Sequence, residues 1–312
     1  MRRLPVSGFT LIEMAVVLVV IGLLIITVFP ALKAVRVSGQ RGATQSNLHT
    51  LMRATAAYVQ ANGCVPCPTP ANTTGTGFGI VRGDATVTPP ACGACTATPE
   101  GVPPFASLGL PAAAAHDGWG NWITMRVDPA LAVLPANPPG CTTTCPVFVP
   151  PTLPCTSQDV TNNYCTSAQL NTAAKGLCKS ALSKTNSVSI FTPGGTTQKA
   201  AVIFISHGVN GYGSYFASAM ADAANNMNGC RKSFPGATGA AGFCPPQPTC
   251  PAAGPSSCNN SAANSCYAQC NAAGNNKLVD APPGGNYDNL LIFADRNALV
   301  SMLNSASCQT AW

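Results

Sequence analysis

Apolar residues dominate positions 9–32 (FTLIEMAVVLVVIGLLIITVFPAL), where Glu13 is the only charge. As a helix, a run of this length can cross a bilayer core of about 30 Å. Lys33 and Arg36 follow it where a secretory signal would carry a small-residue cleavage site, so the span reads as retained. Farther along the pattern turns amphipathic. Leu48, Leu51, Met52, Thr55 and Val59 recur at i, i+3, i+4, i+7 and i+11, the buried stripe of a helix. Asn62-Gly63 reads as its end. One helix over 9–62, roughly 80 Å long, is predicted. Gly39 and Gly42 weaken its middle, where a local break is expected.

Beyond residue 63 the helical period gives way to short apolar runs. Strands are predicted at 119–127 (WGNWITMRV), 188–191, 201–206 (AVIFIS) and 290–294 (LLIFA) from their β-branched and aromatic content. Alanine-rich helical patches are predicted at 167–183 and 217–227, and Asp295 is placed to cap a short helix over 296–303. A long helix packed on a small antiparallel sheet makes an α+β head. Two stretches interrupt it: 137–165, and 229–285, where glycine and proline argue against regular structure.

Composition sharpens this picture. Charged residues make up only 8 % of the 312-residue chain and the net charge is +6, which excludes a charge-driven disordered chain and a strongly basic nucleic-acid binder. The chain has 16 cysteines, none before Cys64. Dense cysteine after an apolar span predicts an oxidising compartment for the carboxyl-terminal part. Disulfides then supply order where a hydrophobic core cannot, with candidate partners Cys64, Cys67, Cys92, Cys95, Cys230, Cys244, Cys250, Cys258, Cys266 and Cys270. Connectivity is not readable from spacing.

Glu13 stands out because a carboxylate inside an apolar span is costly unless it snorkels to the surface or meets a positive partner. A free amine at the start of the span would serve, and cleavage after Gly8 would create one on Phe9. Gly8-Phe9-Thr10-Leu11-Ile12-Glu13, after the basic Arg2-Arg3 leader and before an apolar helix, resembles a type IV prepilin signal. The resemblance implies cleavage between Gly8 and Phe9 by prepilin peptidase and N-methylation of the Phe9 amine. It also implies that Glu13 neutralises the amine of a neighbouring subunit during filament assembly. Gly22 and Pro30 fall where pilins and type II secretion pseudopilins commonly carry glycine and proline. Farther on, Asn62-Gly63-Cys64-Val65-Pro66-Cys67-Pro68, Leu108-Gly109-Leu110-Pro111, Asp117-Gly118-Trp119-Gly120-Asn121 and Ser206-His207-Gly208-Val209-Asn210-Gly211 are similar to segments of pilin-like proteins, in this order. The chain departs from that family in its size, the excess lying in cysteine-bearing loops.

Other chemistries compete weakly. Cys64-x-x-Cys67 and Cys92-x-x-Cys95 form a zinc-ribbon pattern, but 24 residues separate the two pairs, more than such sites use, and disulfides between the segments are expected instead. A thioredoxin-like motif would place its cysteines at a helix start, whereas Cys64 follows a helix. No H-E-x-x-H, G-x-S-x-G or Walker pattern occurs. Adjacent Ser206 and His207 fall on opposite faces of a continuing strand, against a triad built from both. His207–Gly211 reads as a turn with its glycines at positive φ, and Asp117 as the cap of the WGN turn. The resemblance implies calcium after strand 201–206, with Asn210 and Asp222, Asp280 or Asp288 as donors, but hard cations want more carboxylates than this. No metal or cofactor is assigned. Lys175 and Lys179 share a helical face that is read as solvated.

Three parts are therefore expected: a leader over 1–8, a helix over 9–62 whose 9–32 part spans the membrane and drives assembly, and a cysteine-rich extracytoplasmic head over 63–312. The implied function is that of a non-enzymatic subunit of a type IV pilus or pseudopilus. The alternative is a minor tip subunit that binds a surface, a glycan or DNA through its inserts. Expected partners are other pilin or pseudopilin subunits, prepilin peptidase, and the inner membrane with its assembly platform. The expected location is the bacterial inner membrane, single-pass, with the head in the periplasm and later in a filament or on the cell surface.

Overall fold

The computed structural model describes residues 11–62, 64–81, 95, 99–132, 188–192, 196–217, 229–232, 266–272, 277–281, 287–295, 298–299 and 302. Helix α1 (Leu11–Asn62) runs 52 residues without the break expected at Gly39 and Gly42. Each glycine costs a helix about 1 kcal/mol. Propagation from long helical segments on both sides outweighs that, since no new nucleus is needed.

The strands are β1 (Glu100–Gly101), β2 (Thr124–Val127), β3 (Val188–Phe191), β4 (Thr197–Ala200), β5 (Val202–Ser206), β6 (Lys277–Val279) and β7 (Leu290–Ala294). Helix α2 (Cys266–Ala272) precedes β6. The main sheet has the order β1-β2-β5-β7, antiparallel throughout, with Met125 opposite Phe204 and Phe204 opposite Ile292. Every residue of β5 is buried because both faces of this sheet are covered. On one face Met125, Val127, Val202 and Phe204 pack with Leu48, Leu51, Met52 and Val59 of α1, so the amphipathic stripe is the helix's contribution to the core. On the other, Ile203 and Ile205 pack with Val188, Ile190, Ala200 and Leu278 of a second sheet, of order β4-β3-β6. Double coverage is why β5 reads as a continuous apolar run rather than an alternating one.

The two sheets are joined by one continuous run of chain. β4 passes into β5 through Ala201, whose N–H donates to the Ala294 carbonyl at 2.8 Å and whose carbonyl accepts from Asp128 N at 2.9 Å. Small, fully buried Ala200 and Ala201 let the chain change layers without a side chain in the way.

Several expectations need correction. The fold was expected to be α+β with a membrane-spanning N-terminal helix packed on one small antiparallel sheet. Among the described residues, however, no helix is long and apolar enough to cross a membrane. This finding equally overturns the single-pass inner-membrane location with a periplasmic head. The sheet is not single: β3 and β6 pair in parallel in a second layer. β2 begins at Thr124 rather than 119, because 117–121 form a tight turn. β1 and β4 are too short or too polar to show a pattern; Thr197, Gln198 and Lys199 are exposed. Within 229–285, expected to lack regular structure, α2 and β6 are held by an apolar cluster of Tyr267, Ala268, Cys270, Val279 and Tyr287. The helical patch at 167–183, all of 217–227 beyond Ala217, and the 137–165 insert lie outside the described residues.

Candidate functional site

Two regions carry the residues singled out by sequence. The first is the amino-terminal part of α1. Leu11, Leu18 and Leu23 are 92 %, 65 % and 61 % exposed, and Val16, Val17, Val19, Val20, Ile21, Leu24 and Ile25 are exposed too. Consecutive positions cover every side of a helix, so this segment is apolar all round. Glu13 lies in the first turn, exposed, where a carboxylate also complements the positive end of the helix dipole. Gly8 and Phe9 lie outside the described residues.

The second region is where the sheet meets α1. Asp117 is buried at the start of the 117–121 turn. Its Oδ1 accepts from Trp119 N at 3.0 Å and Asn121 N at 2.8 Å. Its Oδ2 accepts from Ser206 Oγ at 2.8 Å, at the end of β5, and from Asn121 Nδ2 at 3.3 Å. Asn121 Nδ2 also donates to the Gly208 carbonyl at 3.0 Å. Gly208 and Gly211 have φ of +69° and +64°, the left-handed conformation that glycine adopts freely. The two glycine-rich motifs thus form one hydrogen-bonded knot. Burial pushes the Asp117 carboxyl up, against the four bonds that favour its charged form.

This knot docks on α1. Gly118 N donates to Thr44 Oγ1 at 2.8 Å, and Thr44 Oγ1 donates to the Gln40 carbonyl at 2.8 Å. A Cβ on Gly118 would overlap the Gln40 carbonyl oxygen, so glycine is required by close approach. Asn47 Nδ2 donates to the His116 carbonyl at 2.8 Å. Trp122 continues the corner, its ring against Phe78, Phe105 and His116 and its Nε1 donating to the Ala217 carbonyl at 2.8 Å.

Ser206 and His207 lie on opposite faces. His207 Nε2 is 2.9 Å from Thr124 Oγ1, and Nδ1, near the Tyr212 backbone, makes no hydrogen bond of normal geometry. Burial, reinforced by the charge of Arg231, pushes His207 down to about 3. Sequence reasoning missed the charged cluster beyond it. Glu100 on β1 bonds Arg126 Nη1 at 2.5 Å and also Arg231, and all three are buried. Arg231 lies 4.1 Å from the Tyr215 ring centre. Glu100 and Arg126 are direct register partners, which no local pattern reveals.

Of the candidate cation donors, Asn210 and Asp288 meet each other. Asp288 accepts from Asn210 N at 3.1 Å and Nδ2 at 3.0 Å, so amide protons occupy its oxygens. Asp280 sits after β6, its carboxyl raised by burial, and Asp222 lies outside the described residues. Among the described residues no group of three His, Cys, Asp or Glu side chains can hold a metal ion.

Cys67 is disulfide-bonded to Cys95, with Cα atoms 5.6 Å apart, which joins the two C-x-x-C segments. Cys64, Cys230 and Cys270 are disulfide-bonded as well. Cys92, Cys244, Cys250 and Cys258 lie outside the described residues, and Cys266 opens α2. Comparison of the chain with protein-family models, with curated proteins and with solved structures finds no match.

Proposed function

We propose that this chain is a structural subunit of a type IV pilus-like or pseudopilus-like filament, assembled through α1 after removal of residues 1–8. The observation that carries the reading is the apolar, exposed surface of α1 between Leu11 and Ile25. An apolar surface that surrounds a helix is stable only when covered, and a bundle of the same helix from other copies covers all of it at once. The Gly8–Glu13 motif supports the same reading. Cleavage before Phe9 puts an amine four residues from Glu13, and a neighbour shifted along the bundle brings the amine of one copy to the carboxylate of the next. Such a pair in a low-dielectric bundle sets register, because removing one partner strands the other. The head then rides on the distal half of α1 through Thr44, Asn47 and the Leu48–Val59 stripe.

The test is recovery in sheared filaments from cells that express the chain, with intact mass and amino-terminal sequencing of the product. A chain beginning at N-methylated Phe9 and present in the filament fraction is expected. Glu13→Ala is expected to be processed and to keep its folded head, yet to be lost from filaments. Normal incorporation of Glu13→Ala sinks the register argument, a product retaining residues 1–8 in filaments sinks the processing step, and absence of the chain from the filament fraction sinks the subunit reading.

A further inference from the structure

Above its apolar section, α1 carries cations that nothing on the helix answers. Lys33, Arg36, Arg41 and Arg53 are exposed, and none forms an ion pair among the described residues. After Glu13 the helix holds no Asp or Glu at all. At about 100° per residue the four cations fall on different sides of the rod. No single face is therefore basic enough to follow a nucleic-acid backbone.

Arg53 belongs to a face of its own. Gly39, Gly42, Ser46, Arg53 and Ala57 recur at i, i+3, i+7, i+14 and i+18, roughly half a turn from the Leu48–Val59 stripe that packs under the head. All five are exposed. Glycine is among the poorest helix formers, yet a Cβ on Gly39 or Gly42 would meet nothing in the chain within 4 Å. Packing within the chain therefore does not call for these glycines. A second helix lying close along this face does, since the missing side chains let its backbone approach. Arg53 then sits inside that contact.

A cation taken out of water between two helices needs a carboxylate beside it. A second copy's α1 has none to offer. Glu13 stands about 60 Å along the rod from Arg53, beyond any shift that also brings Glu13 to a neighbour's Phe9 amine. The chain as a whole carries 16 Lys and Arg against 10 Asp and Glu, and Glu100, Asp117 and Asp128 are buried in the head. Copies packed side by side at this level would set like charges together. We propose that the helix packed on the Gly39–Ala57 face belongs to a second kind of subunit, one whose own rod is acidic at the level of Arg53. The proposal rests on the filament reading. The apolar Leu11–Ile25 section accepts any apolar neighbour, whereas Arg53 in its small-residue face selects which neighbour lies there.

Recovery of Arg53 variants in sheared filaments, measured against the wild type, tests this. Arg53→Glu sets a carboxylate against the partner's and is expected to fall about tenfold or more in the filament fraction, whereas Arg53→Lys keeps the charge and is recovered. Arg53 is exposed, so both variants are expected to melt with the wild type. A photoreactive side chain at Ser46 is expected to join the chain to a different subunit that carries Asp or Glu on its helix. Three results overturn the proposal and leave the filament reading intact: Arg53→Glu recovered at the wild-type level, Arg53→Lys lost as completely as Arg53→Glu, or another copy of this chain captured at Ser46. Absence of the wild type from filaments removes that reading and the proposal together.

Discussion

Asp117 and Ser206, 89 positions apart, are joined by a 2.8 Å hydrogen bond that closes the end of β5 onto the turn before β2. Trp119 N, Asn121 N and Asn121 Nδ2 converge on the same carboxylate. Replacing it with a methyl strands several buried donors at once. Asp117→Ala is expected to lower unfolding free energy by about 2–4 kcal/mol, and Ser206→Ala by about 1 kcal/mol. Urea titration checks both, and equal effects would show that the turn, not the carboxylate, holds the corner.

Docking on α1 has its own signature. Thr44→Val keeps shape but removes the acceptor of Gly118 N. A loss of about 1–2 kcal/mol is expected, with faster hydrogen exchange at the Gly118 amide specifically. Gly118→Ala is expected to do more, since its Cβ meets the Gln40 carbonyl on a rigid helix. An unchanged Gly118 exchange rate in Thr44→Val would remove the hydroxyl from this account.

Glu100 answers two buried guanidinium groups, those of Arg126 and Arg231. Glu100→Gln leaves both without their carboxylate and is expected to cost about 3–5 kcal/mol. Replacing all three together with apolar residues of similar volume is expected to recover most of that loss. Chemical denaturation of the single and triple variants separates a costly buried pair from a merely well-packed site.

His207 makes stability depend on pH. Burial and Arg231 push it from 6.5 down to about 3 in the folded chain, so the unfolded chain binds the extra proton between those values. The contribution is present in full above pH 6.5 and is lost as pH falls towards 3. Urea midpoints from pH 7 to pH 4 are expected to fall more steeply in the wild type than in His207→Gln. Asp117 and Asp288, both raised by burial, are present in each and drop out of the comparison. Parallel curves would show that His207 is solvated.

The 117–121 turn and the His207–Gly211 turn were each legible as turns, but their union was not. Asp117 finds Ser206 only because β2 and β5 are neighbours, and sequence distance carries no trace of that pairing. The same holds for Glu100 and Arg231, from a two-residue strand and an isolated bridge to Tyr215. Short apolar runs at 188–191, 201–206 and 290–294 announced strands because β-branched and aromatic residues suit a pleated, buried surface. β4 and β6 gave no such sign: one is polar, and the other sits in a glycine- and proline-rich stretch.

By itself the sequence determined the periodic parts. The Leu48–Val59 stripe, the strand cores and the cysteine-rich character follow from spacing and composition, which act over a few residues. Tertiary structure alone decided which strands pair, that they form two layers sharing the β4–β5 passage, and that α1 leaves the Leu11–Ile25 surface uncovered by its own head. Those are long-range choices, made by burying both faces of β5 at once. They depend on total packing and buried hydrogen bonding rather than on any local preference.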